Sequence, residues 1–309
     1  MPALIFHHYA NSPFSEKIRL MFGFKKLAWK SVQIPAVMPK PDLTALTGGY
    51  RRTPVLQIGA DVYCDTALIA DVLERISPTP SLYPAPVAGL ARTLAQWADS
   101  TLFWTAVAYV FQPVAMPYLL GPLTPDQMKA FGADRAAMRG NAPRMSAPEA
   151  TGNLREYLRR LDDMLAANKP YLLGEQASIA DFSVYHCMWF IQLAQPLAGI
   201  LDEAPRLKAW IVRMAEFGHH QSEKMSAAQA LEIARDSAAA ETGHLPFVDT
   251  HGIPLGERVA VMPTDYALDP VEGELVICAD NEYAIRREDP KAGSVVVHFP
   301  RLGFQLKKI

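Results

Sequence analysis

The chain has 309 residues, half of them hydrophobic and a fifth charged, with 32 acidic against 30 basic side chains and a formal net charge of -2. That length accommodates two domains and a small third one, and the near-neutral balance leaves no electrostatic footprint for nucleic acid or an anionic membrane surface. No apolar run approaches the roughly 20 residues that span a bilayer, the N-terminus lacks the basic start and long apolar core of a signal peptide, and Cys64, Cys187 and Cys278 are too scattered for a disulfide framework or zinc set; together these features point to a reduced, cytoplasmic protein.

Leu4-Ile5-Phe6 is a short apolar run suited to a buried strand, ending at His7-His8-Tyr9-Ala10-Asn11. Ser12-Pro13 has the form of a helix start, with serine capping the first turn and proline at the first helical position, where its missing N–H costs nothing. The helix then carries Phe14, Ile18, Met21 and Phe22 on one side. Residues 28–34, AWKSVQI, alternate at period two and read as a strand, and Pro35, Pro39 and Pro41 make the next segment irregular. Residues 48–66, GGYRRTPVLQIGADVYCDT, read as a turn, a proline before a strand, and a hairpin turning at Gly59-Ala60-Asp61. Pro54 cannot donate to a sheet and is a candidate for the cis form. Asp65-Thr66 opens a helix to about Ile76 and groups a carboxylate, a hydroxyl and unbonded N–H groups, an anion site beside an acceptor for an amine.

The four prolines of residues 77–86, SPTPSLYPAP, mark the clearest boundary in the chain. From Ala88 the pattern becomes helical and aromatic, is interrupted by Pro113, Pro117, Pro122 and Pro125, and passes into a polar segment, 124–148, that reads as an insertion or lid. Further helices are expected over Glu149 to Asn168, from Ser178 with Asp181 in a capping box, around Ala204 to Phe217, and over Ser226 to Ala240. Beyond Thr242-Gly243, alternating runs at Arg258–Val261, Glu274–Cys278, Tyr283–Arg286, Ser294–Phe299 and Phe304–Leu306 predict a small sandwich or barrel. Acids outnumber bases ten to seven there, which argues against nucleic acid.

The pattern YxxSPFSxKxR at Tyr9–Arg19, the Thr53-Pro54-Val55-Leu56 stretch, the Asp65-Thr66 pair and YLLGEQASIADFSVY at 171–185 together resemble the cytosolic glutathione S-transferase family, over residues 1 to about 240. The resemblance implies an α/β plus all-α architecture: a thioredoxin-like glutathione-binding domain at 1–79 and an all-helical domain at 80–243. A β-rich module at 244–309 lies outside it. It further implies glutathione as co-substrate, an electrophilic small molecule as second substrate, no metal, and a homodimer. Glutathione would pair its cysteinyl backbone with Val55, place its γ-glutamyl carboxylate on Thr66 and its amine on Asp65, and direct its glycyl carboxylate to Arg52, with Thr53 and Pro54 shaping the site. Ser12 matches the catalytic position of serine- and cysteine-type members, with Tyr9 as rival. Phe14, Phe103, Trp104 and Tyr109 are the candidates for an electrophile pocket. Asp65 departs from the usual Glu or Gln. A non-catalytic binding or scaffold protein, and a glutathione-dependent isomerase or lyase, are the alternatives. Read as plain structure, Ser12 and Asp65-Thr66 are helix caps, Arg51 and Arg52 a solvated turn, and His186-Cys187 packing inside an apolar helix. His7-His8 and His219-His220 lack metal-ligand spacing.

Overall fold

The computed structural model of the protein describes residues 3–166, 169–240 and 246–309. The expected boundary at 243/244 and the expected helix end at Asn168 lie outside the described residues.

The first unit runs β1 (Ile5–His8), α1 (Pro13–Lys25), β2 (Trp29–Gln33), α2 (Pro41–Thr47), β3 (Val55–Ile58), β4 (Asp61–Cys64) and α3 (Thr66–Ile76). Strand β1 is parallel to β2 and antiparallel to β3, which is antiparallel to β4, the thioredoxin-like arrangement. Ser12 caps α1 through its Oγ, which accepts from the Ser15 N–H at 3.2 Å, with Pro13 at the first helical position. The segment expected to be irregular contains α2, because Pro41 sits at that helix's first position, where proline starts a helix rather than breaking it. Gly48 ends α2 at φ +74, the conformation that favours glycine, and a Cβ there would lie 2.4 Å from the Arg287 guanidinium, which would have to shift.

The helical region comprises α4 (Ala88–Trp97), α5 (Phe103–Val110), α6 (Met116–Leu120), α7 (Pro125–Arg139), α8 (Ala147–Met164), α9 (Ile179–Leu193) and α10 (Pro205–Ala215). Helices α4 and α5 form one continuous rod, interrupted by a π turn at Ala98–Leu102. At the start of α9 the buried Asp181 accepts from the Ser178 and Leu172 N–H groups, both at 2.9 Å, and from Trp210 Nε1 at 3.1 Å. The predicted cap thus also ties α9 to α10. One core joins this region to the first unit, with Phe6, Phe22, Leu68 and Leu73 packed among Leu102, Phe182 and Trp210.

After β5 (Ser222–Lys224) and α11 (Ala227–Asp236), five strands follow: β6 (Arg258–Pro263), β7 (Val271–Cys278), β8 (Glu282–Asp289), β9 (Gly293–Pro300) and β10 (Phe304–Lys308). All five predicted runs fall inside them. They do not close into the expected sandwich or barrel. Strand β9 pairs in parallel with β4, Val297 opposite Val62, so the sheet runs without a break through ten strands in the order β10-β6-β7-β8-β9-β4-β3-β1-β2-β5. The reason is visible in β9, whose last six residues are all buried, as a strand inside a sheet requires. A second core, with α2 and α11 over Val55, Val62, Val261, Ile285 and Phe299, is shared between the first unit and the C-terminal strands.

The β4–β9 seam carries a buried polar cluster. His298 Nδ1 lies 2.6 Å from Glu282 Oε1 and its Nε2 lies 2.9 Å from Asp61 Oδ1, while the ring stacks on Tyr63 at 4.4 Å. Burial pushes the imidazole's pKa down, but the two carboxylate hydrogen bonds and charges outweigh it and hold it above the ordinary 6.5.

Candidate active site

A cleft of about 910 Å³ opens between the thioredoxin-like unit and the helical region. Among the residues expected to form a site, Tyr9, Ser12, Phe14, Arg52, Thr53, Pro54, Asp65, Thr66, Phe103 and Trp104 all line it. Two do not. Val55 is fully buried inside β3, opposite His7 on one side and Cys64 on the other, so the sheet's open end toward the cleft is Thr53, just before the cis Thr53-Pro54 bond. Tyr109 is also buried and turned away, its hydroxyl donating to the Leu197 carbonyl at 2.8 Å.

Ser12 is held by two features of the YxxSPFSxKxR run. The Ser12 Oγ lone pair caps α1, which leaves the hydroxyl proton free to be donated. Arg19 fixes the preceding loop: its guanidinium donates to the Ala10 carbonyl at 2.8 Å and pairs with Glu16 at 2.7 Å. Capping and a role in chemistry are therefore compatible for one serine.

Asp65 caps α3, accepting from the Ala67 N–H at 2.9 Å, and does so at φ +75, ψ 137, a backbone conformation that side chains rarely adopt. Such strain, about 1–3 kcal/mol, persists where the surrounding structure imposes it and clusters at functional sites. Burial raises the Asp65 carboxyl above its ordinary range despite that N–H and the pull of Arg52 and Lys17. The nearest cation, Arg52 Nη1, is 3.9 Å away. This carboxylate is positioned to take a further positive partner.

Thr66 belongs to a network that sequence reasoning missed. Lys17, fully buried on α1, donates to Thr66 Oγ1 at 3.2 Å and pairs with Asp99 at 2.5 Å. Asp99, in the π turn, also accepts from Ser183 Oγ at 3.3 Å and lies 3.0 Å from His186 Nε2. Burial opposes ionisation of Asp99, yet Lys17 and the His186 hydrogen bond hold its carboxyl below the usual range. His186, read as packing from its apolar surroundings, is lowered by burial and so sits there as the neutral imidazole. The signal that could have found this network is the π turn, a distortion that recurs at functional sites, but no periodicity in the sequence announces it.

Arg52 is turned toward the C-terminal strands. It donates to the Tyr266 carbonyl from Nε at 3.0 Å and to Asp265 from Nη2 at 2.5 Å, and its guanidinium lies 5.7 Å from the Phe304 ring. The basic group nearest Thr53 is instead Lys40, 3.2 Å from its Oγ1. Lys40 is nearly buried, forms no ion pair among the described residues, and has its pKa lowered to about 8 by burial, with the nearby Arg135 and Arg51 adding to it against the pull of Asp134. A desolvated ammonium with no carboxylate paired directly to it favours an anion.

The far half of the cleft is aromatic. Phe14 contacts Phe103 at 4.6 Å, Phe103 contacts Trp104 at 5.1 Å, and Trp104 contacts Tyr266 at 4.8 Å. Helix α7, from the segment predicted as an insertion or lid, contributes Phe131, Arg135 and Met138 to the lining and is pinned by the Arg51–Asp134 pair at 2.7 Å. Among the described residues no group of metal ligands is found, and no helix is long and apolar enough to cross a membrane.

Comparison with known proteins bears on the family. The family model described as glutathione S-transferase, N-terminal domain, matches residues 6–81, and that described as glutathione S-transferase, C-terminal domain, matches residues 144–213. A search of curated protein sequences finds no significant match. A GST-like protein from Pseudomonas syringae is 42% identical over 100% of both chains, with a TM-score of 0.85. A glutathione S-transferase from Rhodospirillum rubrum shares the fold at 19% identity, covering 69% of this chain and 87% of its own, with a TM-score of 0.53. A rice GST in complex with glutathione does so at 18% identity, covering 70% of this chain and 88% of its own, with a TM-score of 0.52. With both domain models matched in order and a relative aligned from end to end, the chain belongs to the glutathione S-transferase family.

Proposed function

We propose that the protein binds glutathione in the cleft and activates its thiol for attack on an electrophilic small molecule. The observation that carries this reading is the convergence of two helix N-termini on one cleft: α1 with the Ser12 hydroxyl and α3 with Asp65-Thr66. The first suits a thiolate and the second a carboxylate beside an ammonium. In this reading the γ-glutamyl carboxylate meets the Thr66 N–H and hydroxyl. Its ammonium sits against Asp65 and Asp99, which supply the negative charge that the shorter side chain at position 65 must deliver. The cysteinyl backbone pairs with Thr53, two residues earlier than Val55, and the glycyl carboxylate meets Lys40 rather than the engaged Arg52.

Catalysis then rests on Ser12. A free thiol near pKa 8.5 is mostly protonated at neutral pH, and each unit of depression requires about 1.4 kcal/mol. One hydrogen bond from the Ser12 hydroxyl, aided by the positive end of α1, supplies one to two units. Positioning the thiolate against the electrophile provides the remainder. Tyr9 is the rival donor. The reading includes a homodimer in the cytoplasm and treats residues 246–309 as folded jointly with the thioredoxin-like domain.

Two measurements test it. Calorimetry with reduced glutathione should give saturable binding, and its absence at millimolar ligand removes the enzyme reading in favour of a scaffold. Ser12→Ala, which removes the hydrogen bond but leaves the end of α1, should raise the apparent thiol pKa in the pH–rate profile by about one unit with little change in glutathione affinity. An unshifted profile transfers the role to Tyr9.

A further inference from the structure

The C-terminal strands contribute more than a longer sheet. The β6–β7 loop puts Thr264, Asp265 and Tyr266 into the wall of the cleft, and Arg52 clamps that loop by its hydrogen bonds to Asp265 and the Tyr266 carbonyl. Behind Tyr266, the Ala267 N–H donates to the Met138 carbonyl at the end of α7 at 2.8 Å. The loop is therefore fastened on both sides, and Tyr266 is held as part of the site.

Its ring completes the aromatic strip from Phe14 through Phe103 and Trp104. Among the described residues neither the Tyr266 hydroxyl nor the Trp104 indole N–H has a hydrogen-bond partner, and both residues line the cleft. Burial raises the Tyr266 pKa, so the phenol keeps its proton and acts as a donor. The strip thus offers flat π faces and two donors, and no carboxylate belongs to it. A planar ring or conjugated system stacks on such a surface, and an oxygen acceptor on it satisfies donors that otherwise lose their water.

We propose that Tyr266 is a specificity-determining residue of the co-substrate half of the cleft, selecting planar conjugated electrophiles that carry an acceptor oxygen. The inference rests on the glutathione reading for its chemistry but not for its binding test. With a conjugated enone, the thiolate sulfur bonds to the β-carbon and the carbon–carbon π pair shifts through the conjugated system to the carbonyl oxygen. Tyr266 donates to the resulting enolate, and the α-carbon then takes a proton from water.

The decisive experiment titrates benzylideneacetone, a planar enone, into the full chain without glutathione, comparing wild type with Tyr266→Phe and Tyr266→Ala. Because Arg52 holds the backbone carbonyl of Tyr266, neither substitution removes the clamp, and Tyr266→Phe keeps the ring. Expected is a Kd raised about fivefold or more by Tyr266→Phe and further by Tyr266→Ala, as loss of one hydrogen bond and then of a stacking face predicts. Equal affinity for all three proteins, or no saturable binding to wild type, overturns the proposal. In turnover, kcat/KM for the enone should fall with both variants relative to that for iodomethane, small and without an acceptor, while the calorimetric Kd for glutathione stays within twofold. Parallel loss for both electrophiles would assign Tyr266 a merely structural role. Failure of wild type to bind glutathione would sink the preceding functional reading, yet the glutathione-free titration would still decide this one.

Discussion

Replacing His298 with glutamine tests whether the C-terminal strands are locked to the rest of the sheet through the cluster at the β4–β9 seam. His298, Asp61 and Glu282 are each no more than 5% exposed, and the imidazolium stands between the two carboxylates at 2.9 and 2.6 Å. The other charged and titratable groups facing it are Tyr63, stacked on the ring, and Arg75, whose Nη1 is 3.9 Å from Glu282 Oε2. His298→Gln leaves two buried carboxylates without their shared cation, a loss of about 3–5 kcal/mol. At an m-value near 3 kcal/mol/M, this corresponds to a fall of roughly 1–1.7 M in the urea midpoint. The pH dependence supplies a sharper signature. Because the folded pKa lies above 6.5, the stabilisation is complete below that value and is lost as pH rises through the folded value. Wild type should therefore lose urea resistance on the alkaline side, with the variant's midpoint nearly flat across the same window. Hydrogen exchange at pH 6 should show amide opening first in β8 and β9 of the variant. A midpoint shift below about 0.3 M together with an unchanged pH slope would refute the view that this seam holds by charge.

Further outcomes follow from the site. Lys40→Met should weaken glutathione by about tenfold or more in calorimetry, as loss of a charge-assisted bond predicts. In wild type the affinity should decline as pH passes about 8, where Lys40 gives up its proton. Lys17→Met removes the buried cation from Asp99 and should cost about 3–5 kcal/mol in thermal or urea unfolding, with a higher KM for glutathione. Gly48→Ala forces a Cβ toward Arg287 at a positive φ and should destabilise by about 1–2 kcal/mol in the same assay, without altering glutathione affinity.

What could be read from the sequence was what is decided locally. Ser12-Pro13, Asp65-Thr66 and Ser178 with Asp181 are caps written in consecutive residues, and the C-terminal strands announce themselves by period-two alternation. The partner of β9 did not, because parallel pairing with β4 joins segments over two hundred positions apart and leaves no mark in either. Lys17, Asp99 and His186 meet from three elements, and an apolar helix hides a histidine whose partner lies on another helix. Tyr109 failed as a pocket residue for a geometric reason: six positions beyond Phe103, it lies about 120° round the helix and faces the core. Arg52, expected to meet the glycyl carboxylate, is engaged by Asp265 and the Tyr266 carbonyl, groups that arrive from near the end of the chain and that no local pattern announces.

The parallel pairing of β4 with β9 also bears on how the protein is made. The thioredoxin-like unit leaves the ribosome with the outer edge of β4 bare, and the strand that covers it begins only at Gly293. At about 5–20 residues per second, that edge waits roughly 10 to 50 s for its partner. Through this interval a short, apolar strand edge can recruit any neighbouring extended chain. Asp61, the one charged residue of β4, then guards the nascent edge before it joins Glu282 around His298. Chaperone demand during synthesis, rather than stability once folded, is where this sheet's length exacts its cost.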